Sequence, residues 1–89
     1  MIREVTWQLE AREAIRELKR RSREDARRVG RAIDRFMRTG QGDVKKLSGS
    51  RGQYRLRAGD WRVRFTIDSE ASAMVISQVS RRNEATYRD

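Results

Sequence analysis

The sequence predicts an α+β fold: an N-terminal strand, then an antiparallel helix hairpin packed on one face of a mostly antiparallel sheet, in the order β-α-α-β-β-β. Three observations predict it. Between residues 9 and 37, apolar side chains recur mostly at spacings of three and four, the period of amphipathic helices. Between residues 53 and 67 they alternate with charged or polar ones, the period of half-buried strands. The two patterns follow one another rather than interleave, and runs of helix followed by runs of strand indicate an α+β layer. With 89 residues, 36% hydrophobic and 39% charged, the chain 1–89 has material for a single domain with one modest core.

Residues 2–7 open the chain with Val5 and Trp7 on one face at period two, an opening strand. From Leu9 the period changes: Leu9, Ala11, Ala14, Ile15 and Leu18 form one helical stripe, and Lys19, Arg20 and Arg21 sit where positive charge complements the helix dipole. Ser22 then reads as an N-cap, with Glu24 and Asp25 in the first turn and Asp25 placed for the reciprocal half of a capping box. Ala26, Val29, Ile33, Phe36 and Met37 make the second stripe, and Gly40 is a natural stop. So short a joint folds the two helices into a hairpin. Glu17–Arg21, Glu24–Arg28 and Asp34–Arg38 are favourable i,i+4 pairs, so most hairpin arginines read as a solvated face. Residues 40–52, rich in glycine and polar side chains, read as a loop touching the core through Leu47. Tyr54, Leu56 and Ala58 then alternate with Arg55 and Arg57. After an Ala58-Gly59-Asp60 turn, Trp61, Val63, Phe65 and Ile67 alternate with Arg62, Arg64 and Thr66. This is an antiparallel hairpin buried on one face. Residues 68–70 turn into a last strand over 72–79, where Met74 and Ile76 oppose Val75 and leave its orientation open. The tail has no clear period.

Composition removes several chemistries. There is no cysteine and no histidine, hence no disulfide, no thiolate, no ordinary zinc site and no imidazole base. No metal and no cofactor is expected. No segment approaches the roughly 20 apolar residues of a membrane span, and the start lacks a secretory apolar run, so a cytoplasmic protein with no membrane partner is expected. Against 13 acids stand 22 Lys and Arg, a net charge of +9, which points to nucleic acid, an acidic protein partner or an anionic membrane surface without choosing among them.

The sharpest feature is the placement of arginine in the hairpin. Arg55, Arg57, Arg62 and Arg64 fall at the positions facing away from the helices, and no acid sits among them on those two strands. One or two charges on an open sheet face serve solubility, but four like charges repel across the strands. A face that binds phosphates accounts for them, because the planar guanidinium fork matches phosphate oxygens in pairs.

These residues carry a resemblance. The stretch Lys46-Leu47-Ser48-Gly49, the strand Tyr54-Arg55-Leu56-Arg57, the turn Gly59-Asp60-Trp61-Arg62, and the ending Val75-Ile76-Ser77 followed by Arg81, Arg82 and Tyr87 resemble the RelE/ParE superfamily of toxins from type II toxin–antitoxin systems. The likeness spans the whole chain. It implies a RelE-like fold and, for RelE-like members, metal-independent cutting of mRNA in the ribosomal A site, with 2′-hydroxyl attack leaving a cyclic phosphate. By that resemblance Arg62, Arg81 and Tyr87 are the catalytic residues, and Arg55, Arg57, Arg64, Lys45, Lys46 and Arg82 hold phosphate or RNA. RelE carries lysines where Arg55 and Arg57 stand. An arginine does not give up its proton, so the proton acceptor falls to Tyr87, whose phenol a cationic setting would acidify. The resemblance equally admits a ParE-like inhibitor of DNA gyrase, or a non-toxic antitoxin-binding module. In each case it implies a cognate antitoxin, locally acidic and partly disordered when free.

Overall fold

The computed structural model describes residues 2–49 and 52–81. It contains β1 (Glu4–Trp7), α1 (Leu9–Arg21), α2 (Arg23–Thr39), β2 (Asp43–Lys46), β3 (Gln53–Ala58), β4 (Trp61–Asp68) and β5 (Ala73–Arg81). The strands form one five-stranded sheet in the order β1-β5-β4-β3-β2. All neighbours are antiparallel except β1 and β5, which run parallel. The α+β layer is therefore the one expected, with one strand more.

That extra strand is β2, in the segment expected to be a loop. Its four residues are too few to show a period, but Val44 pairs with Leu56 and is half-buried, while Asp43, Lys45 and Lys46 stay exposed. Backbone pairing with β3, rather than side-chain patterning, makes this edge a strand. Leu47 continues the pairing through its amide, which donates to the Gln53 carbonyl at 2.9 Å.

Ser22 alone separates the helices and serves both. Its amide donates to the Leu18 carbonyl at 2.7 Å, closing α1, and its hydroxyl accepts from the Asp25 amide at 3.2 Å, opening α2. The reciprocal half of a capping box does not form, because the Ser22 amide is already engaged by α1. Gly40 ends α2 in the left-handed region at φ 74°, its amide on the Phe36 carbonyl at 2.8 Å. Of the expected helix-surface pairs, Arg38–Asp34 forms at 2.9 Å, and Glu17 pairs with Arg20 at 3.3 Å rather than with Arg21. Arg28 lies instead over the β3–β4 turn. Gly59 has φ 63°, the left-handed region that favours glycine; a Cβ there would stand 3.0 Å from two atoms of the flexible Arg28 side chain, which can shift, so it is conformation that calls for glycine.

One core joins the layers. Ala11 and Leu18 of α1 and Ala26, Val29 and Ile33 of α2 meet Leu56, Ala58, Val63, Phe65, Met74, Ile76 and Val79 of the sheet. Phe65 anchors it, its ring 5.2 Å from Phe36 and 5.5 Å from Tyr54, centroid to centroid. A β-bulge resolves the orientation of β5. Arg64 pairs with Gln78 but Phe65 pairs with Ile76, so Ser77 is the extra residue, and its hydroxyl donates to the Arg64 carbonyl at 3.3 Å. The bulge reverses the alternation: Met74 and Ile76 face the core before it, Val79 after it.

Candidate nucleic-acid interface

Strand register assembles the arginines into a grid. Across β3 and β4, Arg55 stands opposite Arg64 and Arg57 opposite Arg62. Their alternation with Leu56, Val63 and Phe65, which sit in the helix-covered core, puts all four on the other side of the sheet. β2 extends the grid with Lys45 opposite Arg55 and Asp43 opposite Arg57. β5 adds Ser80 opposite Arg62 and Gln78 opposite Arg64.

The four arginines face away from the helices, as the alternation predicts, but they are far from fully solvated. Arg55 is 9% exposed and Arg62 8%, and Arg57 and Arg64 are half-buried. Strands β3 and β4 each have neighbours on both sides, so their long side chains stand in a crowd. Directly opposed side chains start about 5 Å apart at Cβ. Two like charges about 6 Å apart repel by about 3 kcal/mol at an effective dielectric of about 20. At Arg57 the neutralisation is slight: the Asp43 carboxylate lies 3.9 Å from its Nε, too long for a hydrogen bond. The Nε atoms of Arg55 and Arg57 are buried with no hydrogen-bond acceptor among the described residues. A buried charged donor left unsatisfied costs several kcal/mol, and an incoming oxyanion removes that cost.

Not every expected residue joins this grid. Lys45 does, beside Arg55, whereas Lys46 stands opposite Tyr54 on the other face. Arg64 joins on the far side of Arg55. Arg81 does not, because the Ser77 bulge turns it to the side of Val79. It pairs with Trp61, with its guanidinium carbon 6.0 Å from the centre of that ring. Arg81 ends β5, and the expectations for Arg82 and Tyr87 lie outside the described residues. Sequence reading missed Asp43, Gln78 and Ser80. Asp43 lay in a segment without a period, and the two β5 residues become legible only once the bulge is known. Among the described residues no three His, Cys, Asp or Glu side chains gather as a metal site, and no helix is long and apolar enough to cross a membrane.

No protein-family model and no curated protein sequence matches the chain. Solved structures do. The RelE–RelB complex of the archaeon Pyrococcus horikoshii OT3 is similar at 24% identity and TM-score 0.74, over 96% of this chain and 100% of that one. A YoeB/ParE toxin from Agrobacterium tumefaciens aligns with TM-score 0.78 at 15% identity, over 89% and 98% of the two chains. A YoeB dimer from Staphylococcus aureus gives TM-score 0.72 at 20% identity, over 84% and 91%. At these identities the likeness is one of fold: two helices on a mixed five-stranded sheet, as in the RelE and YoeB toxins.

Proposed function

We propose that this chain is the toxin of a type II toxin–antitoxin pair and acts in the cytoplasm as a ribosome-dependent mRNA endonuclease. The observation that carries the reading is the buried arginine grid: Arg55, Arg57, Arg62 and Arg64 in register on one sheet face, with the Nε atoms of Arg55 and Arg57 lacking an acceptor among the described residues. Such a face suits a phosphate that gains charge in a transition state. The shared fold supports the toxin assignment, and the RelE–RelB and YoeB–YefM complexes among the similar structures support an antitoxin partner.

In this reading the RNA 2′-oxygen attacks the adjacent phosphorus and the bond to the 5′-oxygen breaks. The products are a 2′,3′-cyclic phosphate and a 5′-hydroxyl. Arg62, with Arg55 and Arg57 beside it, stabilises the extra negative charge on the pentacoordinate phosphorus. Lys45 and Arg64 hold flanking phosphates. None of these arginines accepts or gives up a proton, so the 2′-proton goes to Tyr87, and the departing 5′-oxygen takes its proton from water. Arg81 is assigned the second catalytic cation, a role that requires its side chain to leave Trp61 and swing round the end of β5 to the grid side, and Arg82 and Lys46 are assigned to more distant RNA.

The test is cleavage of a defined mRNA on purified ribosomes, read by primer extension. Cuts in the A-site codon that require ribosomes are expected, with Arg62→Ala lowering the rate about 100- to 1,000-fold, the usual effect of losing one preorganised donor. Intact mRNA together with inhibited supercoiling by DNA gyrase would overturn the reading in favour of a ParE-like target.

A further inference from the structure

Across the sheet from the arginine grid, the helices carry a second cationic feature. Arg16, Lys19, Arg20, Arg23 and Arg27, with Ala26 among them, line an open groove of about 700 Å³ where α1 meets α2. Arg16, Lys19 and Arg20 share one face of α1 at i, i+3 and i+4, and Arg23 and Arg27 share one face of α2 at i and i+4. Glu17 pairs with Arg20, while Arg16, Lys19, Arg23 and Arg27 enter no ion pair among the described residues. Helix stability gives Arg23 no reason to be cationic. It is the first residue of α2, at the positive end of the dipole, where an acid would be favoured.

We propose that this groove is a second nucleic-acid site, one that holds the sugar–phosphate backbone by charge alone. The other polyanion available to a protein is an acidic polypeptide. A segment that orders on binding needs apolar anchors to offset its lost entropy. The groove's single apolar residue, Ala26, is itself only 6% exposed. A backbone phosphate needs no such anchor and suits guanidinium groups on flexible stems. Interactions confined to phosphates read no base edges. Affinity in the groove is therefore independent of sequence, and RNA and DNA duplexes bind alike. With the grid on the opposite side of the sheet, the chain lies between two backbones.

The experiment measures binding of the full chain to labelled RNA and DNA duplexes of about 20 base pairs, two sequences each, across a salt series. Three proteins are compared: the wild type, the groove variant Arg16→Gln/Lys19→Gln/Arg23→Gln/Arg27→Gln, and the grid variant Arg55→Gln/Arg57→Gln. The groove variant should flatten the dependence of log affinity on log salt by about three to four, because each phosphate that is no longer neutralised removes about 0.9 from the slope. It should weaken all four duplexes equally, by at least about tenfold in low salt. All four replaced side chains are exposed, so its melting temperature should stay that of the wild type. The smaller change Arg23→Gln/Arg27→Gln should give about half the flattening, and Arg23→Lys/Arg27→Lys should restore it. An unchanged slope in the groove variants overturns the proposal. So does a loss confined to one sequence, or displacement of the duplexes by polyglutamate at equal charge concentration. If only the grid variant flattens the slope, the groove proposal falls while the endonuclease reading stands. If only the groove variants do, the proposal holds whatever becomes of cleavage.

Discussion

Arg55 shows what a single residue contributes at opposite signs. Its side chain is buried, faces Arg64 in register, and holds an Nε without an acceptor among the described residues. All three terms oppose folding in the absence of an anion. Replacing a buried, uncompensated charge by an apolar side chain of similar length removes them. Arg55→Met should therefore raise the melting temperature, by about 4–8 °C if the gain is about 1 kcal/mol, while lowering cleavage on ribosomes. A lowered melting temperature would show that the guanidinium is already satisfied. Arg81 separates two roles by the same pair of measurements. Packed on Trp61, an exposed cation over a ring contributes about 0.5–1 kcal/mol. Arg81→Ala should thus shift melting by a few degrees yet reduce cleavage at least about 100-fold, if it serves as the second catalytic cation. Retained cleavage with lowered melting would leave it only the packing role.

At the scale of elements, the fate of β5 depends on one inserted residue. Ser77 lets Met74, Ile76 and Val79 all face the core, although 76 and 79 differ by an odd number. Deleting Ser77 restores strict alternation beyond the site. Gln78 then follows Ile76 directly, opposite Arg64, so Val79 keeps its facing and its pairing with Val63, and Arg81 its pairing with Trp61. The deletion should therefore cost little, less than about 1 kcal/mol, as chemical denaturation measures. A loss of about 2 kcal/mol or more would show that the bend the bulge imposes on β5, and not only the facing of its residues, is needed for core packing. The same device explains what the sequence could and could not disclose. Both helices are legible because Ser22 and Gly40 bracket a clean helical stripe. The central hairpin is legible because Leu56, Val63 and Phe65 alternate without exception. The facing of β5 is not, since a bulge leaves no mark on composition, and Val75 and Val79 look equivalent until pairing is known. Strand β2 is missed for another reason: one half-buried Val44 in a four-residue edge is no pattern at all. The arginine grid is visible as alternation. Its burial is not, because burial depends on which strands are central, and sequence order does not state that.

Taken whole, the molecule divides its charge between two sides of one sheet, and the sides respond differently to a small anion. On the grid, phosphate would find buried donors and relieve mutual repulsion. In the helix groove it would find solvated cations that already have water. Only the first kind of site couples strongly to folding, because binding to the native state adds RT ln(1 + [L]/Kd) to its stability. At phosphate about ten times Kd the gain is about 1.4 kcal/mol, or roughly 6–10 °C in a domain of this size. Phosphate also stabilises proteins in general, by exclusion from their surface, so the informative quantity is the difference between variants at fixed ionic strength. Thermal melts of the wild type should rise along a saturating curve with inorganic phosphate, and those of the groove variant should follow it. The Arg55→Gln/Arg57→Gln protein should show only the shallow, unsaturating rise of surface exclusion. Identical curves for wild type and grid variant would mean that the register-matched guanidinium groups do not form a phosphate site, and the endonuclease reading would lose the feature on which it rests.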